Sequence, residues 1–316
     1  MTQVQGQGNT WNLPNYAGDL YTADPESTPF FSMIGGLNNG GKQTQNFEFP
    51  IDSLYDYPEP EQPEISEKAS ATAPDAINYV RSQDTNVTQV FQESVDLTYV
   101  KQSNYNRMEG LNTAGQQNNV PDEKAFQVSR QLIKIARDIE HTIFSGQFQK
   151  STSPTVPNKT RGMLEAVANG GATIDAAGAE LSREMLQTLW REMYNSGATF
   201  TNPVMWVGAR SKQLTTDLYA YAPTSRNVGG VNIQAIETDF GNIGISLNKF
   251  IPADTILVAD MSVINSVFQP VPGKGNFFLE ELGKTGAADR AQIFGQWGLD
   301  HGPAFFHGSI TGLATA

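Results

Sequence analysis

The chain has 316 residues, room for one large domain or two ordinary ones, with 39% hydrophobic residues and a formal net charge of −12. With no cysteine and three histidines, it excludes disulfides, thiol catalysis and cysteine-ligated metal centres, and leaves little for a histidine site. The acidic balance argues against general nucleic-acid binding, which needs lysine and arginine to replace counterions on phosphates.

Residues 1–41 read as an arm. Trp11, Leu13, Tyr16, Leu20 and Tyr21 are scattered apolar anchors, and Asp24-Pro25 breaks any helix. The opening Met1 to Gly8 is polar and uncharged, so no secretory signal is expected. Thr28-Pro29-Phe30-Phe31-Ser32-Met33-Ile34 is a short apolar patch closed by Gly35-Gly36, and such a patch has to dock on something.

Residues 42–107 are polar and strand-patterned. Phe47, Phe49 and Ile51 alternate with Glu48 and Asp52, and a return limb alternates Phe91, Val95, Leu97 and Tyr99 with Gln92, Ser94, Asp96 and Thr98. The two limbs are expected to pair as a long antiparallel ribbon, each spanning roughly 30–45 Å at about 3.3 Å per residue. Between them, Asp56, Pro58, Glu59, Pro60, Glu61, Pro63, Glu64 and Glu67 form a segment that cannot pack by itself. An isolated two-stranded ribbon is marginal in water, so a partner surface is expected.

A long helix is expected from Pro121, which suits a first helical turn, to a stop at Gly146. Asp122 and Glu123 complement its positive end, and Phe126, Leu132, Ile135, Ala136, Ile139, Ile143 and Phe144 form one stripe. At 1.5 Å per residue the rod is about 35–40 Å long. Ser, Thr and Pro clusters from Lys150 to Lys159 mark a loop.

A compact α+β unit follows. Its elements are a helix over Ser182 to Tyr194, capped by Ser182 and ended by Gly197; a buried strand at Val204 to Val207; and a helix across Lys212 to Tyr221. Strands at Val231 to Ile236, Ile243 to Leu247 and Thr255 to Ala259 complete it. The tail, Phe277 to Leu313, returns to strand patterning with Phe278, Leu282, Ile293, Trp297, Phe305, Phe306 and Ile310. No run approaches about 18 consecutive apolar residues, so no membrane-spanning helix is expected.

Several motifs imitate chemistry and fail on context. Gly36, Gly41 and Lys42 match a phosphate loop, but Gln43 stands where Ser or Thr must hold magnesium, and a strand follows where a helix is needed. Ser246-Leu247-Asn248-Lys249 and Lys284-Thr285-Gly286 suggest a penicillin-binding enzyme, yet the middle motif is missing and the spacing is too short. His301 and His307, with Asp300 adjacent, lack a further convincing ligand and read as surface or interface histidines. His141, between Ile139 and Ile143, reads as packed or hydrogen-bonded. Glu280-Glu281 would point to opposite faces of a strand, so they cannot share an acid–base site. The catalytic inventory is close to empty, and no cofactor is expected.

The order of arm, ribbon, long helix, α+β unit and returning strands resembles the major capsid proteins of tailed bacteriophages with the HK97-type shell fold. More narrowly, Asp24-Pro25-Glu26-Ser27-Thr28-Pro29-Phe30-Phe31-Ser32-Met33-Ile34 is similar to the N-terminal signature of SU10-type major head proteins. Thr160-Arg161-Gly162-Met163 and Leu279-Glu280-Glu281-Leu282-Gly283-Lys284-Thr285-Gly286 are similar to that group as well. The resemblance implies an α+β, HK97-type fold. In it, 1–41 is an N-terminal arm, 42–107 an extended loop over a neighbour, and 108–165 a peripheral domain with spine helix 121–146. Residues 166–273 would be an axial domain whose tips meet at the five- and six-fold axes, and 274–316 the returning strands of the peripheral domain. Compared with some members, the extra hundred or so residues of a fused scaffolding segment are not expected in this chain.

What the resemblance implies for function is a structural, non-enzymatic subunit. Its copies form the pentamers and hexamers of an icosahedral shell, assembled in the host cytoplasm and resident in the virion. It would enclose double-stranded DNA without sequence-specific binding or membrane contact, with portal, scaffold or decoration proteins as further partners. Contacts between subunits are expected at Phe30, Phe31, Phe47, Phe49, Val95 and Leu97. The last four are expected to touch a neighbour or the chain's own long helix rather than solvent. A tail or baseplate protein, whose ribbon joins rings, is the alternative; an α+β enzyme with a long lid is a third class.

Overall fold

A computed structural model of the chain describes residues 27–37, 41–55, 59–73, 75–76, 78–99, 123–219, 235–284 and 286–315. The anchors from Trp11 to Tyr21, the Asp24-Pro25 break, Asp56, Pro58, the helix start at Pro121, the helix end at Tyr221 and the strand start at Val231 lie outside the described residues.

The first elements are helix α1 (Pro29–Met33), strands β1 (Lys42–Gln43) and β2 (Glu48–Tyr55), helix α2 (Glu67–Ser70), and strands β3 (Arg81–Val87) and β4 (Gln89–Thr98). Helices α3 (Glu123–Ser145) and α4 (Met163–Ala168) follow, then β5 (Ala172–Asp175), α5 (Arg183–Asn195), β6 (Pro203–Val207) and α6 (Ala209–Tyr219). The chain ends with β7 (Ala235–Thr238), β8 (Gly241–Leu247), β9 (Ile256–Asp260), β10 (Asn265–Phe268), β11 (Phe277–Leu282), β12 (Ala288–Asp300) and β13 (Gly308–Thr311).

Among the described residues three sheets result. A five-stranded sheet runs β1-β10-β12-β11, with β4 also paired to β12; a six-stranded sheet runs β5-β13-β9-β6-β8-β7; and β2 pairs with β3 alone. The period-two pattern decides which core each residue of the six-stranded sheet serves. On β6, Val204 and Trp206 face one core while Met205 and Val207 face another. β9 does the same, with Leu257 and Ala259 in the first core and Ile256 and Val258 in the second. Both strands are buried along their whole length, as expected for strands covered on both faces.

The helices follow their stripes. Ile135, Ile139, Ile143 and Phe144 of α3 are buried at helical spacing, and Gly146 follows the last helical residue. Ser182 caps α5, its hydroxyl accepting from the Met185 N–H at 3.2 Å, and Leu186, Leu189, Trp190 and Met193 are buried.

The expected ribbon is corrected in its pairing. Residues 48–55 pair with 81–87, from Glu48 opposite Val87 to Tyr55 opposite Arg81, with a register shift between Pro50 and Asp52. The limb from Phe91 to Leu97 instead joins the five-stranded sheet, Val95 lying opposite Ala291. Burial explains the choice: Phe91, Val95 and Leu97 are buried beneath α3 and the sheet, a gain of about 1.5–3 kcal/mol per large side chain that a solvated ribbon cannot offer. Each paired limb is therefore about 25 Å long, shorter than expected.

The tail is corrected as well, because it does not stay together. β11 and β12 lie in the five-stranded sheet, while β13 inserts between β5 and β9 of the six-stranded one. Gly308 permits this: a Cβ there would lie 2.8 Å from the Met193 sulfur and 2.9 Å from a Leu189 methyl.

Candidate assembly surfaces

Two segments leave the body of the chain, and they end differently. The first is α1. A five-residue helix does not hold itself together in water, so its conformation is set by what it touches. Phe30 and Phe31 are 0% and 1% exposed. The Phe30 ring packs 4.7 Å from Trp206 and 5.4 Å from Phe144, and Phe31 meets Trp297 at 5.9 Å. The backbone N–H groups of Phe30 and Phe31 donate to the Glu140 carboxylate at 2.9 and 2.7 Å. The side-chain amide of Asn248 donates to the same carboxylate. Burial pushes the Glu140 carboxyl up, against the lowering effect of these three donors.

The second is the hairpin of β2 and β3, whose root is bound tightly. Glu48 pairs with Lys150 at 2.6 Å and Asp84 with Arg161 at 2.5 Å, and just before the hairpin Lys42 of β1 pairs with Asp300 at 2.5 Å. The hydrogen bonds of Glu48 to Lys150 and Thr85 hold its carboxyl below the usual range. Asn86, fully buried, donates to the Leu299 carbonyl at 2.8 Å and accepts from the Arg161 N–H at 2.8 Å.

The Thr160-Arg161-Gly162-Met163 segment acquires its physical reason here. Thr160 accepts from the Leu299 N–H at 3.1 Å, and the Arg161 guanidinium lies 4.9 Å over the Phe148 ring. At Gly162 the backbone donates to the Gly146 carbonyl at 2.8 Å, and a Cβ would come within 2.6 Å of the Gly146 nitrogen. Only glycine fits that crossing.

Beyond the root, the hairpin has no core of its own. Residues 59–70 are exposed throughout and carry Glu59, Glu61, Glu64 and Glu67. Large apolar side chains stand in solvent: Val80 is 82% exposed, Ile65 70%, Tyr55 58% and Tyr79 49%. Exposed apolar groups gathered on one projection mark an interaction surface.

The six expected contact residues fall unevenly. Within the single chain Phe30, Phe31, Phe49, Val95 and Leu97 are all buried, and Phe47 is 43% exposed. Phe49 packs near Gly298, where a Cβ would meet its ring at 2.7 Å. Neither Glu140 nor Asn86 was singled out from the sequence. Glu140 had a readable signal, since it lies four residues from both Ala136 and Phe144 on the apolar stripe.

The motifs resembling chemistry have structural occupations. Lys42, of the failed phosphate loop, is held by Asp300, and Lys284 by Asp289 at 2.9 Å. Glu280 binds Lys274, while its neighbour Glu281 reaches Lys124 on α3 at 2.6 Å. The histidine readings are corrected. His301 and His307 are buried, 2% and 0% exposed, because the connection between β12 and β13 folds against the end of β9, and His141 is exposed on the outer side of α3. His307 donates from Nε2 to the His301 carbonyl at 2.7 Å and accepts the Asp260 N–H on Nδ1 at 3.2 Å. Burial drives its pKa down to about 4. Among the described residues, no group of three or more His, Asp or Glu side chains could hold a metal ion, and no helix is long and apolar enough to cross a membrane.

This arrangement has the fold of HK97-like shell subunits. The capsid protein of cyanophage A-1(L) aligns with a TM-score of 0.69 at 9% identity, covering 96% of this chain and 97% of that one. The capsid of cyanophage P-SCSP1u gives 0.59 at 9% identity, covering 96% and 93%. The SrpI encapsulin complex of Synechococcus elongatus gives 0.54 at 9% identity, again covering 96% and 93%. The sequence profile of the SU10 major capsid protein family matches residues 3–314, and the chain belongs to that family. It is a structural subunit that self-assembles into the icosahedral shell of a virion. A tail or baseplate role finds no support in these likenesses. No curated protein matches the chain significantly.

Proposed function

We propose that the β2–β3 hairpin is the extended loop by which one shell subunit grips the next. The observation that carries this reading is the contrast along the hairpin: two ion pairs at its root, and Tyr55, Ile65, Tyr79 and Val80 exposed toward its end. An arm anchored so firmly on its own body and bare beyond it is shaped for a surface on another copy. A closed shell needs heterologous contacts that close on themselves, and a strand pair laid on a neighbour supplies them without a large monomer core. Phe47 joins this surface as the half-exposed member of the expected contacts.

On this reading α3 is the spine of a peripheral domain formed with β4, β11 and β12. The six-stranded sheet, with β13 included, is the axial domain that meets its copies at the symmetry axes. Portal, scaffold and decoration proteins are the further partners. The net charge of −12 suits a wall that encloses double-stranded DNA without gripping it.

Electron microscopy of the expressed full chain tests the reading. Closed spherical shells are expected from the wild type, and loss of shells with a folded subunit from deletion of residues 59–80. Normal shells from that deletion would sink it. Strong retention of DNA by purified empty shells at physiological salt would count against the DNA-indifferent wall.

A further inference from the structure

Glu140 is a buried ionisable group that the shell fold does not by itself explain. Among the described residues of α3 it is the charged side chain wholly withdrawn from water. Burying a carboxylate without partners is strongly unfavourable, so its partners define its purpose. All three are donors: the N–H groups of Phe30 and Phe31 on Oε1 and Oε2, and the amide of Asn248 on Oε1. Thr28, at the start of α1, makes no side-chain cap there, so the carboxylate supplies, from 110 and 109 residues further along the chain, the acceptor that the local sequence withholds.

The same residues join the two sheets. Phe30 packs on Trp206 of β6, in the six-stranded sheet, and Phe31 on Trp297 of β12, in the five-stranded one. Asn248 follows β8, takes the Val207 carbonyl with its own N–H at 3.0 Å, and accepts the Phe250 N–H at 2.8 Å on its side chain. The segment is thus a wedge between the sheets, and Glu140 is the point where the wedge, α3 and the six-stranded sheet are tied.

We propose that Glu140 is a lock that seats the N-terminal segment, and that seating makes the subunit competent to assemble by fixing the two sheets against each other. The second half rests on the reading of the chain as a shell subunit. Seating is cooperative: with the segment withdrawn, the Phe30 and Phe31 donors leave together, Asn248 stays behind as a single partner, and the carboxylate must reach water. Glu140 acts as a positioning residue, through the segment it holds.

The test uses full-length unassembled subunits of the wild type, Glu140→Ala and Glu140→Gln. Chymotrypsin cleavage after Phe30 and Phe31 reports withdrawal of the segment, because cleavage tracks the population of the open form. Glu140→Ala is expected to raise that rate by about ten-fold or more and to shift the emission of Trp206 and Trp297 to the red. Glu140→Gln keeps the shape and one acceptor oxygen, and is expected to fall between. Both variants are expected to yield fewer closed shells. Cleavage within about two-fold of wild type in Glu140→Gln overturns the lock. If Glu140→Ala does not fold, the Glu140→Gln rate alone decides, a several-fold increase supporting the lock. Withdrawn segments with normal shells overturn the link to assembly. Failure of the wild type itself to form shells strikes the shell reading, while the cleavage comparison still decides the lock.

Discussion

The α1 segment and the β2–β3 hairpin are both appendages, yet the chain treats them oppositely. α1 is five residues long and buries Phe30 and Phe31 almost completely. The hairpin is far longer, and its outer part leaves Ile65 and Val80 in solvent. The difference lies in whether a matching surface exists within one chain. Two tryptophans, a phenylalanine and a carboxylate receive α1, while nothing among the described residues covers residues 59–70. Stability is therefore concentrated at one appendage and left for a partner at the other.

The largest break in this contrast is expected from Phe30→Ala. Removing a fully buried aromatic between Trp206 and Phe144 should cost about 3–5 kcal/mol, read from urea unfolding of the unassembled subunit. A cost below about 1 kcal/mol would place α1 with the hairpin as a loosely held appendage.

Acid should act next, between about pH 6.5 and 4 through a buried histidine of the body. His307 has its pKa lowered from the ordinary 6.5 to about 4 by burial. A histidine with a depressed folded pKa favours the fold while neutral, so that stability is complete above the unfolded value. It is lost as pH falls from about 6.5 toward 4, by roughly 3 kcal/mol in all. His307→Asn should flatten the slope in that window. A slope that persists unchanged would assign it to other groups.

Asn86→Ala probes the hairpin's root. It strands the Leu299 carbonyl and the Arg161 N–H in a buried site, at about 2 kcal/mol in the subunit's unfolding free energy. The smallest effect belongs to the hairpin's outer part. Ile65→Ser with Val80→Ser should change the unassembled subunit's stability by no more than about 0.5 kcal/mol, while shell yield falls sharply. A large loss of subunit stability would show that these side chains already have an intramolecular partner.

Much of the fold was readable because periodicity carries it. Ile135, Ile139 and Ile143 announce α3, Ser182 announces the start of α5, and the unbroken apolar run at Val204 announces a fully covered strand. The strand at Phe91 to Leu97 was readable too, but its partner was not. A single Thr88 separates it from β3, and alternation gives no indication that the chain changes sheets there. The likeness of Thr160-Arg161-Gly162-Met163 to a family segment marked that stretch without giving its reason or its link to the hairpin. That reason, a backbone crossing against Gly146 and an ion pair to Asp84, joins residues far apart in sequence.

By itself, the sequence determined the existence and character of the parts: an apolar patch that must dock, a strand-patterned arm with an acidic, proline-rich middle, a long amphipathic rod and an α+β unit. Local spacing and side-chain chemistry suffice for that. Tertiary structure alone decided which surface each part meets. It put Phe30 and Phe31 against Glu140 and two tryptophans, sent β13 into the second sheet, and left the outer hairpin bare. The physical reason is that docking depends on shape and on paired donors and acceptors brought together from distant positions. A one-dimensional pattern records the need for a partner but not its address.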